Sequence, residues 1–200
     1  MSNSKIQMTN KAQNSKSITH VQTRGDRTFS FEREGEYVVY LDNASGVFNF
    51  EIKASGVYLD IFGIYVGNNN IKINLHTIQH HQAPNSTSNL LIKSVIRDES
   101  HFYYHGLIRI DENCNGSHAY QKNQNLVLSN KAVVKSEPDL EILSNEVFCT
   151  HGSTTGKPND EQLYYLQTRG LSPKNAREIY VKGFLDEVRE KVNSHQSAVV

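Results

Sequence analysis

Cys149 and His151 stand two residues apart in EVFCTHGSTTG, residues 146–156. A thiolate and an imidazole together suit soft or borderline ions such as iron, zinc or copper. On a strand, positions i and i+2 project from one face, so the two donors would point the same way. A C-x-H pair supplies two ligands at most, and any others must come from elsewhere. The same spacing fits a small buried cysteine and a capping histidine at a strand-to-helix junction, and spacing alone favours that plainer reading.

The chain has nine histidines, His151 included, and the others offer further donors, among them His76, His80 and His81 in HTIQHH and His101 and His105 in HFYYHG. Strand positions i and i+4 lie about 13 Å apart, too far for one metal, so neighbouring strands would have to bring imidazoles together. Scattered surface or hydrogen-bonded histidines are the expectation. Two cysteines, Cys114 and Cys149, complete neither a disulfide framework nor a four-thiolate site, and they suit a reducing cytoplasm. The sequence has no G-x-S-x-G elbow, no P-loop and no acidic cluster of the glycosidase kind. The chain is therefore expected not to be an enzyme.

Alternating strands must position these residues. TFSFE, EYVVYLD, GVFNFEIK, GVYLDIFGIYVG, IKINLHTI, NLLIKSVI, HFYYHGLIRI, NLVLS, LEIL and EVFCT carry period-2 apolar patterns. Turn signals separate them at Asn43–Gly46, Gly67–Asn70, Pro84–Ser86, Glu112–Gly116 and Glu137–Asp139, at the all-β spacing of roughly 8–12 residues. Sandwich, barrel and strand solenoid all remain open on this pattern. The composition changes after residue 155. Asn159 reads as an N-cap, Arg169 and Gly170 as a helix end, and Ser172-Pro173 as N-cap and N1 of a second helix. That helix carries the stripe Ile179/Tyr180, Phe184, Val188 and Val192, flanked by Val181 and Leu185. The organisation is thus a polar, loosely ordered segment 1–28, a β core 29–155 and a two-helix domain 156–200, fraying after Asn193. Lys+Arg and Asp+Glu are 21 each, so nothing pulls the chain toward nucleic acid, and no apolar run is long enough for a membrane span.

The segment PDLEILSNEVFCTHGSTTG, followed by DEQLYYLQTRGLSPKNAREIYVKGFLDEV, closely resembles the C-terminal half of the SufB/SufD family of the SUF iron–sulfur cluster assembly system. Pro138, Leu140-Glu141-Ile142, Val147, Cys149, His151-Gly152, Thr154, Tyr164-Tyr165-Leu166, Arg169-Gly170-Leu171, Ala176 and Gly183-Phe184 match its pattern. Upstream, HHQAPNSTSN and AYQKNQNLVLSNKA are similar to two further family segments, and the likeness is collinear from about residue 57 to 186. It favours SufD. SufB-like chains carry Glu-His-Glu-Ala where this chain has Cys149-Thr150-His151-Gly152, and a cysteine where Asn123 stands. The chain departs from the family in its Ser153 and in its shortness.

The resemblance implies a right-handed parallel β-helix followed by a small C-terminal α-helical cap. It implies a scaffold subunit that pairs edge to edge with a SufB-like chain and docks a SufC-like ABC-type ATPase, with a homodimer as a further possibility. His151 would sit at the interface and aid iron acquisition or nascent cluster assembly as a metal ligand shared with the partner chain, with Cys149 its neighbour. Tyr165, Leu166, Arg169 and Phe184 would be partner contacts, or would seal the end of the β-helix. No cofactor would be held stably by this chain alone; iron or an iron–sulfur cluster would be present only transiently in the complex. The other functions weighed are a free-standing β-helix binding module or carbohydrate-active protein, and a degenerate structural SufD remnant.

Overall fold

The computed structural model describes residues 4–8 and 18–197. Among these residues twelve strands alternate between two six-stranded, wholly parallel sheets. The odd strands form sheet A: β1 (Ser4–Met8), β3 (Arg27–Phe31), β5 (Gly46–Ile52), β7 (Lys72–His81), β9 (His101–Ile110) and β11 (Val133–Ile142). The even strands form sheet B: β2 (Ile18–Val21), β4 (Gly35–Asp42), β6 (Val57–Gly67), β8 (Thr87–Ile96), β10 (His118–Val127) and β12 (Phe148–Gly156). Each coil adds one strand to each sheet, which makes the chain a parallel β-helix. Two helices follow, α1 (Asp160–Thr168) and α2 (Pro173–Ser197).

The register stacks side chains in columns. One inward column of sheet B reads Val39, Ile61, Leu90, Gln121, His151; its neighbour reads Tyr37, Leu59, Ser88, Ala119, Cys149. In sheet A, Phe29 and Phe50 stack with ring centroids 5.3 Å apart. Below them in the same column come Gln79, Ile108 and Leu140. The early coils are thus filled by aromatic and aliphatic groups, while the later ones admit amides, hydroxyls and a histidine. Corners are turned by Asn43, Asn69, Asn85 and Asn113, all left-handed, a conformation asparagine tolerates.

Three sequence expectations change. Within 1–28, expected to be loose, Ser4–Met8 and Ile18–Val21 are strands paired to β3 and β4; residues 1–3 and 9–17 lie outside the described residues. The turn expected at Glu137–Asp139 is instead strand, and β11 runs straight through Pro138. Proline is tolerated there because β11 is the terminal strand of sheet A. The expected fraying after Asn193 does not occur up to Ser197: the His195 ring lies 3.2 Å from the Asp60 carboxylate and against Phe62.

Helix caps follow the sequence. Asn159 Oδ1 accepts from the backbone of Glu161 and Gln162, Gly170 is left-handed at the end of α1, and Ser172 caps α2. The helices do not close the end of the β-helix. Helix α2 lies along the outer face of sheet B, burying Val181, Leu185, Val188 and Val192 against Val38, Phe62, Ile64, Leu91, Val95 and Leu126. Ile179, expected in that stripe, is 46 % exposed. A buried lysine pins the helix. Lys93 Nζ donates to Phe184 O at 2.9 Å, meets Glu187 at 2.5 Å and lies over the Phe184 ring. Glu187 is half-exposed and stays hydrated when its partner is lost, so Lys93→Ala is expected to cost about 1–3 kcal/mol. Denaturant titration checks the loss, and hydrogen exchange should show α2 amides opening first.

Candidate functional site

Every internal strand of the β-helix is covered on both edges; among the described residues β1 and β2 at one end pair on one edge only, and so do β11 and β12 at the other. Their inward residues therefore form an open cross-section of the coil. From β11 come Ser136, Pro138, Leu140 and Ile142, with Leu140 and Ile142 both 39 % exposed; from β12 come Cys149, His151, Ser153 and Thr155. Unpaired backbone groups and half-exposed apolar side chains together make a surface suited to receiving another strand.

Cys149 and His151 do share a face of β12, as period 2 requires. They differ sharply in environment. Cys149 is half-buried and packs, with Val147, against Ile108, Ile110, Cys114 and Ala119. Burial pushes its thiol above the usual range, opposed by a hydrogen bond with the Ala119 backbone, so its thiolate is scarce at neutral pH. His151 is exposed and lies mid-strand, not at the β-to-α junction; Asn159 does the capping there. The capping role that spacing favoured for His151 is thereby excluded. Among the described residues no group of three or more His, Cys, Asp or Glu is arranged to hold a metal ion. The pair could offer an ion two donors and must share it.

Other histidines are committed elsewhere. His76 and His105 do meet across β7 and β9 on the outer face of sheet A, ring centroids 4.3 Å apart, but His105 Nε2 is bound to Asp139 at 2.6 Å. His80 is 2.9 Å from Asp111, which also takes Arg109. His81 is fully buried inside the coil. There Ser86 Oγ donates to Ala83 O and accepts from His81 Nδ1, while His81 Nε2 accepts from Ser88, whose oxygen in turn accepts a hydrogen bond from Gln79 Nε2. Cys114 Sγ donates to His81 O. Asn123 accepts from Asn125 at 2.6 Å and from Ser136 at 2.9 Å. Ser136 also accepts from Ser153, so hydroxyls and amides knit the last two coils together.

The helical candidates lie at a second place. A groove of about 560 Å³ between α1 and α2 is lined by Tyr165, Leu166, Ile179, Tyr180 and Phe184. Arg169 lies over the Tyr165 ring and donates to its hydroxyl at 3.2 Å. Tyr165 is 56 % exposed and Tyr164 70 %. Phe184 divides its surface between this groove and the packing of α2 on sheet B. Sequence reasoning missed Lys93, Gln121 and the polar interior. QKNQN is polar at every position, so period 2 cannot say which amides face inward. Only pairing with the apolar columns of β8 decides that Gln121, Asn123 and Asn125 do.

A family model described as "SUF system FeS cluster assembly, SufBD core domain" matches residues 2–184. An iron–sulfur cluster assembly SufBD family protein of Mycobacterium leprae is 30% identical over 152 residues, which is 72% of this chain and 39% of that protein. The iron–sulfur cluster assembly protein SufD of Escherichia coli is 32% identical over 103 residues, 52% of this chain and 24% of that protein. A SufBD family protein of Synechocystis is 29% identical over 109 residues, with shares of 54% and 24%. The chain thus spans about two-fifths or less of each of these relatives.

The buried histidine makes stability depend on pH. Desolvation lowers the His81 pKa from 6.5 to about 4, with the neighbouring His80 charge a smaller cause. As pH falls below about 6.5, the unfolded chain protonates this ring while the folded chain resists until about 4. The stabilisation is therefore full above pH 6.5 and declines by roughly 3 kcal/mol toward pH 4. Urea midpoints measured across that range should show the decline, and His81→Gln should flatten it.

Proposed function

The chain belongs to the SufBD core family of the SUF system, and from that premise we propose that it is a SufD-like scaffold subunit for iron–sulfur cluster assembly. It has no catalytic turnover of its own and works in the cytoplasm. A SufB-like chain completes the open end of the β-helix by pairing with β11 and β12, and a SufC-like ABC-type ATPase docks on the helices. Iron or a nascent cluster is cargo passed through the interface, not a resident cofactor.

The observation that carries this reading is the position of His151. It is an exposed imidazole on the inward column of an uncovered terminal strand, the place where a second chain would bring the ligands this chain lacks. Cys149, packed and with its thiol pushed up, supports it as a neighbour rather than as a second strong ligand. The likeness to the Escherichia coli protein named SufD and the Cys149-Thr150-His151-Gly152 segment favour SufD over SufB. The groove around Tyr165, with its exposed aromatic and arginine, suits a protein partner better than a small polar ligand. Among the described residues no helix is long and apolar enough to cross a membrane.

Co-expression with a SufB-like chain and the ATPase tests the reading. A ternary complex is expected, with His151→Ala leaving its assembly intact while lowering iron and sulfide content about tenfold or more. Unchanged cluster loading would make the chain a structural remnant, and recovery of the chain alone or as a homodimer would overturn the scaffold reading. Tyr165→Ala should weaken ATPase capture about tenfold without disturbing the pairing of β-helices, as titration calorimetry of the two steps would show.

A further inference from the structure

Gln121 is fully buried and lies directly beneath His151 in the inward column of sheet B. Its three predecessors in that column are Val39, Ile61 and Leu90, so an amide enters only at the coil before the open end. One half of the amide is fixed: Nε2 donates to Gly106 O at 3.2 Å. Glycine at 106 leaves room for it, since a Cβ there would stand 2.4 Å from Gln121 Nε2. The other half, Oε1, is buried with no donor. A buried acceptor without a donor costs about 1–3 kcal/mol, so a donor is wanted at that spot. His151 is its register partner on the adjacent strand, the two strands running about 4.8 Å apart. Its ring makes no hydrogen bond to another described side chain.

We propose that Gln121 is a positioning residue for His151: its Oε1 accepts the proton of one ring nitrogen and turns the lone pair of the other toward the open end of the coil. Histidines that ligate metals almost always donate their second ring N–H to a carbonyl or carboxylate, which fixes tautomer and orientation. Here a carboxamide oxygen, held by its own nitrogen against Gly106, offers that acceptor; the structure leaves it unpaired, and a rotation of the exposed His151 ring makes the bond. The bare nitrogen then suits a borderline divalent cation such as ferrous iron. That last step rests on the scaffold reading; the hydrogen bond itself does not.

Nitrogen-15 spectra of the full chain at pH 8, with His151 assigned by His151→Gln, test the bond directly. In the wild type one ring nitrogen should be protonated in preference to the other, with its N–H slow to exchange with water. Gln121→Leu puts at this level the residue already present one coil earlier, and is expected to shift the tautomer ratio about threefold or more, the effect of one net hydrogen bond. Gln121→Asn, too short to reach, should do the same if the leucine variant does not fold. Ring shifts identical in the wild type and in folded Gln121→Leu or Gln121→Asn overturn the proposal. The scaffold reading fails separately, when His151→Ala leaves cluster loading unchanged although the tautomer responds.

Discussion

A parallel β-helix satisfies a strand's backbone only by adding another coil, and most of this molecule follows from that constraint. Each strand takes its hydrogen bonds from the coils before and after it, so the chain is stable in its middle and incomplete where coiling stops. Among the described residues the ladder ends at β11 and β12. Proline at 138 is tolerated because the strand is terminal, and residues that would be core in any earlier coil stand half in solvent. The open end is thus a direct consequence of the architecture, and it is where the family-matching histidine is found.

The interior changes character along its axis. Stacked phenylalanines and branched aliphatics fill the first coils, where burial of apolar area holds the sheets together. Farther on, His81, Gln79 and a set of serines replace them, and the last coils are joined by Asn123, Asn125, Ser136 and Ser153. A polar interior is stable only when its groups are paired. Most are; among the described residues Gln79 and Gln121 each keep one bare carbonyl oxygen, and the buried Tyr65 hydroxyl is also unpaired. The open end is held by directional bonds, which fix geometry, rather than by apolar packing, which fixes volume.

Helix α2 binds the two halves of the problem together. Its apolar side covers the outer face of sheet B, and Lys93 reaches out of the sheet to a backbone carbonyl, a carboxylate and an aromatic ring of the helix. The same Phe184 that receives this lysine also lines the groove against α1. The groove thus borders an element anchored to β8, two strands from β12.

The sequence by itself determined what local rules control. Period-2 runs marked the strands, Asn159, Gly170 and Ser172-Pro173 marked the helix ends, and the residues around Cys149 and His151 carried the family likeness. Alternation states that one face is buried but not against what, so sandwich, barrel and solenoid stayed equivalent until the register placed residues some thirty apart in one column. For the same reason the all-polar stretch around Gln121 was mute, Pro138 read as a turn, and His151 read as a cap. The tertiary structure decided which amides face inward, that α2 lies along a sheet instead of over the end, and that His151 stands on an uncovered coil, because each depends on contacts between distant residues that no local pattern encodes.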